Sequence, residues 1–192
     1  MSLPGLWFVT DPARTPDPAA VAASLPRGSG VIYRAFGRPD AEAVGQALRR
    51  ATRRAGVILL VGADPRLARR IGADGVHLPQ RLAHLAPRIK AIRPDWLVTA
   101  AAHDARALGR AARFGAHAVL VSAIFPSRSP SAGQALGPIR FETLVRRGKS
   151  PVIALGGINA RTAGRFRLST AAGLAAVEGL ADPVWPPRLG PN

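Results

Sequence analysis

The stretch Pro151-Val-Ile-Ala-Leu-Gly-Gly-Ile-Asn159 combines residue types that suit an anion: an apolar run, two glycines and an asparagine that can start a helix. Gly156 and Gly157 lack Cβ atoms, so the backbone can take positive φ and a ligand can come close to bare N–H groups. Asn159 fits an N-cap, and the first amides of the following helix would point back toward the same spot. A tight strand-to-helix turn without a ligand uses the same residues, so the motif alone leaves both readings open. Among the histidines, His103 follows a strand end and is the acid–base candidate. His77 lies between Val76 and Leu78, where a structural histidine and a catalytic one both fit. His84 and His117 read as surface or turn positions. No pair has the spacing or nearby carboxylate of a zinc site, so no metal ligands are assigned.

The elements that must position these groups follow from composition and pattern. With 192 residues and 47% hydrophobic content, the chain can bury a sizeable core. No apolar run approaches the roughly 20 residues of a membrane span, and residues 1–25 lack the basic start and apolar middle of a signal peptide. The expected location is cytoplasmic, with no membrane partner. The absence of cysteine excludes disulfides, thiolate metal sites and a cysteine nucleophile. The formal charge of +16 is carried almost wholly by arginine, Lys90 and Lys149 being the only lysines. Such a charge attracts anions of every kind. Tyr33 is the only tyrosine, and the basic clusters are not interleaved with aromatics, which favours a solvated arginine surface over a nucleic-acid platform.

Strands are expected at 6–9, 31–34, 57–61, 75–78, 96–100, 118–121, 152–155 and 174–177. Between them, helices are expected at 17–25, 40–55, 65–71, 81–92, 104–114, 139–146 and 160–168, with Asp17, Asp40, Asp104 and Asn159 at their starts and Gly56, Gly72 and Gly115 at their ends. A partial repeat pairs Arg70-Ile-Gly-Ala-Asp-Gly-Val-His-Leu78 with Arg113-Phe-Gly-Ala-His-Ala-Val-Leu-Val121, 43 residues on, which is the length of two strand–helix units. Eight units of this kind predict a single-domain (β/α)8 barrel over residues 1–181, short, with thin helices and an incomplete last unit. Residues 182–192, with Pro183, Pro186, Pro187 and Pro191, read as a tail unable to form a regular helix.

A barrel gathers the C-terminal strand ends at one mouth. Asp11, Arg34, Asp64, His77, Gln80, His103, Ser127 to Ser129, Gly156, Gly157 and Glu178 would then share that rim.

Five blocks in order carry a resemblance from residue 6 to about 180. They are Leu6-Trp-Phe-Val-Thr-Asp11, Gly72-Ala-Asp-Gly-Val-His-Leu-Pro-Gln80, Ile124-Phe-Pro-Ser-Arg-Ser129, Leu136-Gly137 and Pro151-Val-Ile-Ala-Leu-Gly-Gly-Ile158. This order resembles the thiamine-phosphate synthase and thiazole tautomerase (TenI-like) family of (β/α)8 barrels. The resemblance implies a synthase that joins a hydroxymethylpyrimidine diphosphate to a thiazole phosphate, releasing pyrophosphate and using magnesium. It places Arg34 at the arginine gripping the diphosphate and Ser127 and Ser129 at the two hydroxyls of the pyrophosphate loop, with Arg128 as a replacement charge. Gln80 falls in the substrate region, and Gly156 and Gly157 at the thiazole-phosphate glycines.

Departures from that pattern are specific. Ile32 and Phe36 replace a glutamine and a lysine, Pro130 a lysine, and Glu178 a serine of the last phosphate loop. Gly62, Ala63 and Leu82 stand where metal-binding residues are expected, leaving Asp64 as the nearby acid. Magnesium would then enter only through the substrate diphosphate, and no cofactor is assigned. Ala123 occupies the place of the tautomerase histidine. The leading expectation is a synthase acting on phosphorylated small molecules. The alternative is a divergent homologue that binds or isomerises another phosphorylated metabolite. Charge alone motivates a nucleic-acid binder, and a homo-oligomer stays open.

Overall fold

The computed structural model describes residues 3–127, 134–164 and 170–180. The strands are β1 (Leu6–Val9), β2 (Gly30–Tyr33), β3 (Ile58–Gly62), β4 (Gly75–Leu78), β5 (Leu97–Ala102), β6 (Ala118–Val121), β7 (Val152–Leu155) and β8 (Gly173–Ala176). They close in sequence order into one parallel barrel, with Leu6 beside Leu174 sealing β1 to β8. The return connections carry α1 (Pro18–Ser24), α2 (Ala41–Ala55), α3 (Pro65–Ile71), α4 (Ala86–Ile92), α5 (Ala105–Arg113), α6 (Gly137–Arg147) and α7 (Ala160–Ala163). Among the described residues, no helix is long and apolar enough to cross a membrane.

Strand alternation divides the core in two. Trp7, Val9, Ile32, Leu60, Leu120 and Ile153 fill the lumen. Phe8, Val31, Leu59, Val76, Val98 and Val119 point the other way, under the helices. This is the two-faced burial expected of parallel strands covered by helices. Gly30 has a packing reason: a Cβ there would run into the Trp7 ring, which fills the lumen beside it and donates its indole N–H to Pro4 O at 2.8 Å.

Several of the shorter helices begin on side-chain caps. Asp17 accepts from Ala20 N at 3.0 Å, Asp64 from Leu67 N at 2.9 Å and Asp104 from Ala107 N at 2.7 Å. Such caps satisfy amides that a helix of two turns cannot pair internally. Gly56 and Gly72 end α2 and α3 in the left-handed conformation, with φ 67° and 65°. At the bottom of the barrel Asp74 accepts both arms of Arg49 at 2.8 Å and also the amide of Leu59 at 2.8 Å, tying α2 to the β3–β4 edge.

The sequence reading needs local corrections. Asp40 precedes α2 but makes no cap, because Arg38 binds its carboxylate through two contacts of 2.8 and 2.6 Å. The expected helix over 81–92 divides into a 3-10 turn (Gln80–Leu85) and α4. Strand β2 ends at Tyr33, so Arg34 belongs to the following loop, and β5 extends to Ala102. Strand β8 starts and ends one residue earlier than expected, and Glu178–Leu180 forms a 3-10 turn. The end of the expected helix 160–168, and residues 182–192, lie outside the described residues.

Candidate active site at the C-terminal mouth

A cavity of about 330 Å³ opens at the C-terminal ends of the strands, lined by Arg14, Arg34, Ser127, Gly156, Gly157 and Glu178 among others. The loops after β1, β2, β6, β7 and β8 therefore meet there. Arg128 and Ser129 lie outside the described residues.

Arg34 is held from the first loop. Its amide donates to Thr10 Oγ1 at 2.9 Å, Nε to Thr10 O at 2.7 Å and Nη2 to Asp11 Oδ2 at 3.2 Å. Arg14 Nη2 donates to the same Asp11 Oδ2 at 2.8 Å. Asp11 is fixed in turn by Ala13 N on Oδ1 at 3.1 Å and by Thr15, whose hydroxyl donates to Asp11 O at 2.9 Å. The hydrogen bond from Arg14, helped by the charges of both arginines and opposed by burial, holds the Asp11 carboxyl below its usual range. Burial lowers the Arg34 pKa, Arg14 adding to the effect and Asp11 opposing it. Arg34 also lies over the Phe36 ring, 5.0 Å from its centroid.

The glycine pair does two things. A Cβ on Gly156 would lie 2.8 Å from Ala123 Cα, and one on Gly157 2.6 Å from Pro126 O, so both glycines let the β7 loop press against the β6 loop. The two loops are also joined by Ile124 N to Leu155 O at 3.0 Å and Phe125 N to Gly156 O at 3.1 Å. The amides of Gly156, Gly157 and Ile158 donate to no acceptor among the described residues, and all three residues line the cavity. The α7 amides differ from expectation: Asn159 Oδ1 takes those of Arg161 and Thr162 at 3.0 and 3.1 Å, so they are spent on the cap. Any anion here would meet loop amides instead.

Gln80 and His103 line a different hollow, shared with Arg81, His84, Arg110 and Phe114. Gln80 Oε1 accepts the His103 amide at 3.1 Å, and His103 Nδ1 lies 3.1 Å from the carbonyl of Ser122. The Ser122 hydroxyl lies 3.2 Å from the same Nδ1, so either tautomer finds a partner on Ser122. Ser122 lines the main cavity and so forms the wall between the two hollows.

His77 faces the lumen, its neighbours Val76 and Leu78 packing outward, and its Nδ1 lies 2.9 Å from Thr99 Oγ1. The residue is part-buried. Desolvation, with the Arg34 charge adding to it, pushes its pKa down to about 4. The imidazole is therefore neutral at physiological pH and acts with Thr99 as a packed polar pair.

The residues present do not fit a protein-held magnesium ion, which needs oxygen ligands and commonly one or two carboxylates. Gly62, Ala63 and Leu82 offer no side-chain oxygen. Asp64 is spent capping α3, and Asp11 is taken by two arginines. No group of three acidic, histidine or cysteine residues suited to a metal occurs among the described residues.

Arg14 is the charged lining residue absent from the rim expected from sequence, and Ser122 is a polar one. The signal for Arg14 was faint: an arginine three residues after Asp11, in the first loop of a barrel whose mouth was already predicted.

The fold and the position of this mouth define a (β/α)8 barrel with a polar, arginine-bearing cavity at its C-terminal rim. The chain belongs to the family described as thiamine monophosphate synthase, whose sequence model matches residues 6–180. It is 35% identical over 168 residues to a thiamine-phosphate synthase of Chromobacterium violaceum, covering 85% of this chain and 81% of that one. A thiamine-phosphate synthase of Methylococcus capsulatus is 36% identical over 193 residues, with 93% and 84% covered. Among solved structures, a thiamine phosphate pyrophosphorylase from Pyrococcus furiosus superposes with a TM-score of 0.76 at 23% identity, over 91% of this chain and 85% of that one. At that identity the superposition bears on fold alone.

Proposed function

We propose that the chain joins a hydroxymethylpyrimidine diphosphate to a thiazole phosphate and releases pyrophosphate. The observation that carries this reading is the convergence of Arg34, Ser127 and the Gly156–Gly157 amides on one cavity in a chain of this family. In the reaction the thiazole nitrogen attacks the pyrimidine methylene carbon, and the bond from that carbon to the diphosphate oxygen breaks with its electron pair. The thiazole nitrogen becomes quaternary, so the bond exchange needs no proton transfer.

The work left to the protein is to align two anionic substrates and to stabilise charge growing on the leaving group. Arg34, immobilised by Thr10 and Asp11, offers a pre-set guanidinium for the diphosphate. The loop amides of Gly156 to Ile158 suit the thiazole phosphate. Glu178 lines the same cavity.

The extent of the family match supports a barrel that ends near residue 181, with 182–192 as an appended tail. A cytoplasmic location belongs to the same reading. The test is to incubate purified protein with both substrates and follow thiamine phosphate and pyrophosphate, which should form in equal amounts. No product at saturating substrate would contradict the proposal.

The second reading, a homologue that binds or isomerises another phosphorylated metabolite, is favoured by Gly62, Ala63 and Leu82 at the metal positions. It predicts phosphate-ester binding without thiamine phosphate formation, with His103 as the acid–base candidate.

A further inference from the structure

We propose that Arg14 is the second arm of a diphosphate clamp, and that Arg14 and Arg34 together let this mouth hold a diphosphate without a protein-bound divalent cation. The inference rests on the reading of the cavity as a diphosphate site and adds how its charge is met.

Two guanidinium groups approach a single carboxylate oxygen, Asp11 Oδ2, at 2.8 and 3.2 Å. An Asp–Arg pair built for stability commonly meets fork to fork, two N–H groups on two oxygens, as Arg49 does with Asp74. Here each arginine spends one terminal nitrogen on Asp11, and one carboxylate cannot neutralise two cations. Nε and Nη1 of Arg14 and Nη1 of Arg34 have no acceptor among the described residues. None of them is a buried orphan, so they remain open to solvent or ligand. Both residues line the cavity.

Holding like charges together is unfavourable until an anion arrives, and such concentrations of one sign mark binding sites. Each arginine has a reason to stay in place. Arg34 is tethered to Thr10, Arg14 is half of an i,i+3 pair, and Asp11 is locked by Ala13 and Thr15. The geometry thus offers a pre-positioned pair of cations where the metal ligands are replaced by Gly62, Ala63 and Leu82. Glu178, on the loop of the neighbouring strand, lines the same cavity.

The experiment is calorimetric titration of the full chain with inorganic pyrophosphate, in buffer containing a chelator and again with excess magnesium. The clamp predicts dissociation constants that agree within a factor of about three between the two conditions. It also predicts that Arg14→Gln weakens chelator-buffer binding by about 10- to 100-fold, with Arg14→Lys recovering part of the loss. Far-UV circular dichroism of each variant separates lost binding from lost fold, and the wild-type comparison needs no variant. Binding seen only with magnesium overturns the clamp and leaves the diphosphate site standing. An Arg14→Gln protein that binds as wild type while Arg34→Gln does not also overturns it. No pyrophosphate binding in either buffer overturns the diphosphate reading itself.

Discussion

Gly157 and Pro126 stand so close that a Cβ on the glycine would lie 2.6 Å from the proline carbonyl oxygen. Gly157 also has φ 65°, a conformation that disfavours any side chain. The β6 and β7 loops, which form adjoining walls of the cavity, are thus held together by an absent methyl group.

Gly157→Ala should therefore cost about 2–4 kcal/mol, the sum of backbone strain and overpacking, and should loosen the cavity. Gly109→Ala is the contrasting control. Gly109 sits exposed inside α5 with nothing within 4 Å of the new Cβ, so the change should stabilise the fold by about 0.5–1 kcal/mol. Denaturant midpoints of the two variants, shifting in opposite directions, check both statements.

Asp74→Ala removes the partner of both Arg49 arms and of the Leu59 amide at once. Arg49 Nε already lacks a partner in its buried position, so the guanidinium would be left poorly compensated. A loss of about 2–4 kcal/mol is expected by urea denaturation, with little change in ligand affinity because the pair lies at the bottom of the barrel. Restored stability in an Asp74→Ala, Arg49→Leu double variant would support this account, and additive losses would not.

Stability should fall on acidification between about pH 6.5 and pH 4. The His77 pKa is depressed to about 4, so across that window the unfolded chain takes up a proton that the folded one refuses. The full effect of that one group is at most about 3 kcal/mol. His117 is lowered as well, by desolvation and then by Lys90, and contributes in the same direction. Replacing His77 by Gln keeps a polar partner for Thr99 and removes the titration. Its stability should decline less between pH 6.5 and 4.5 than that of wild type, and an equal decline would rule His77 out as the cause.

The parts legible in sequence were those fixed by local physics. Asp17 and Asp104 capped helices because a short helix must have its first amides satisfied, and Gly56 and Gly72 ended helices because they tolerate left-handed backbone. Eight repeated units then left a closed barrel as the economical arrangement. Lateral meetings were less legible. Arg14 joins the mouth only because Asp11 turns its carboxylate to two arginines. Gln80 and His103 share the rim but line another hollow, because the loops after β4 and β5 lie beside each other and behind the wall at Ser122. Asp40 failed as a cap because Arg38 offered it a two-point contact.

The most direct measurement of the central claim is a crystal structure of the full chain grown with pyrophosphate. We expect the anion in the mouth, within hydrogen-bonding distance of Arg34 and Ser127 and beside the amides of Gly156 and Gly157. Pyrophosphate bound only in the hollow around His84 and Arg110, with the mouth holding none at saturating concentration, would contradict it.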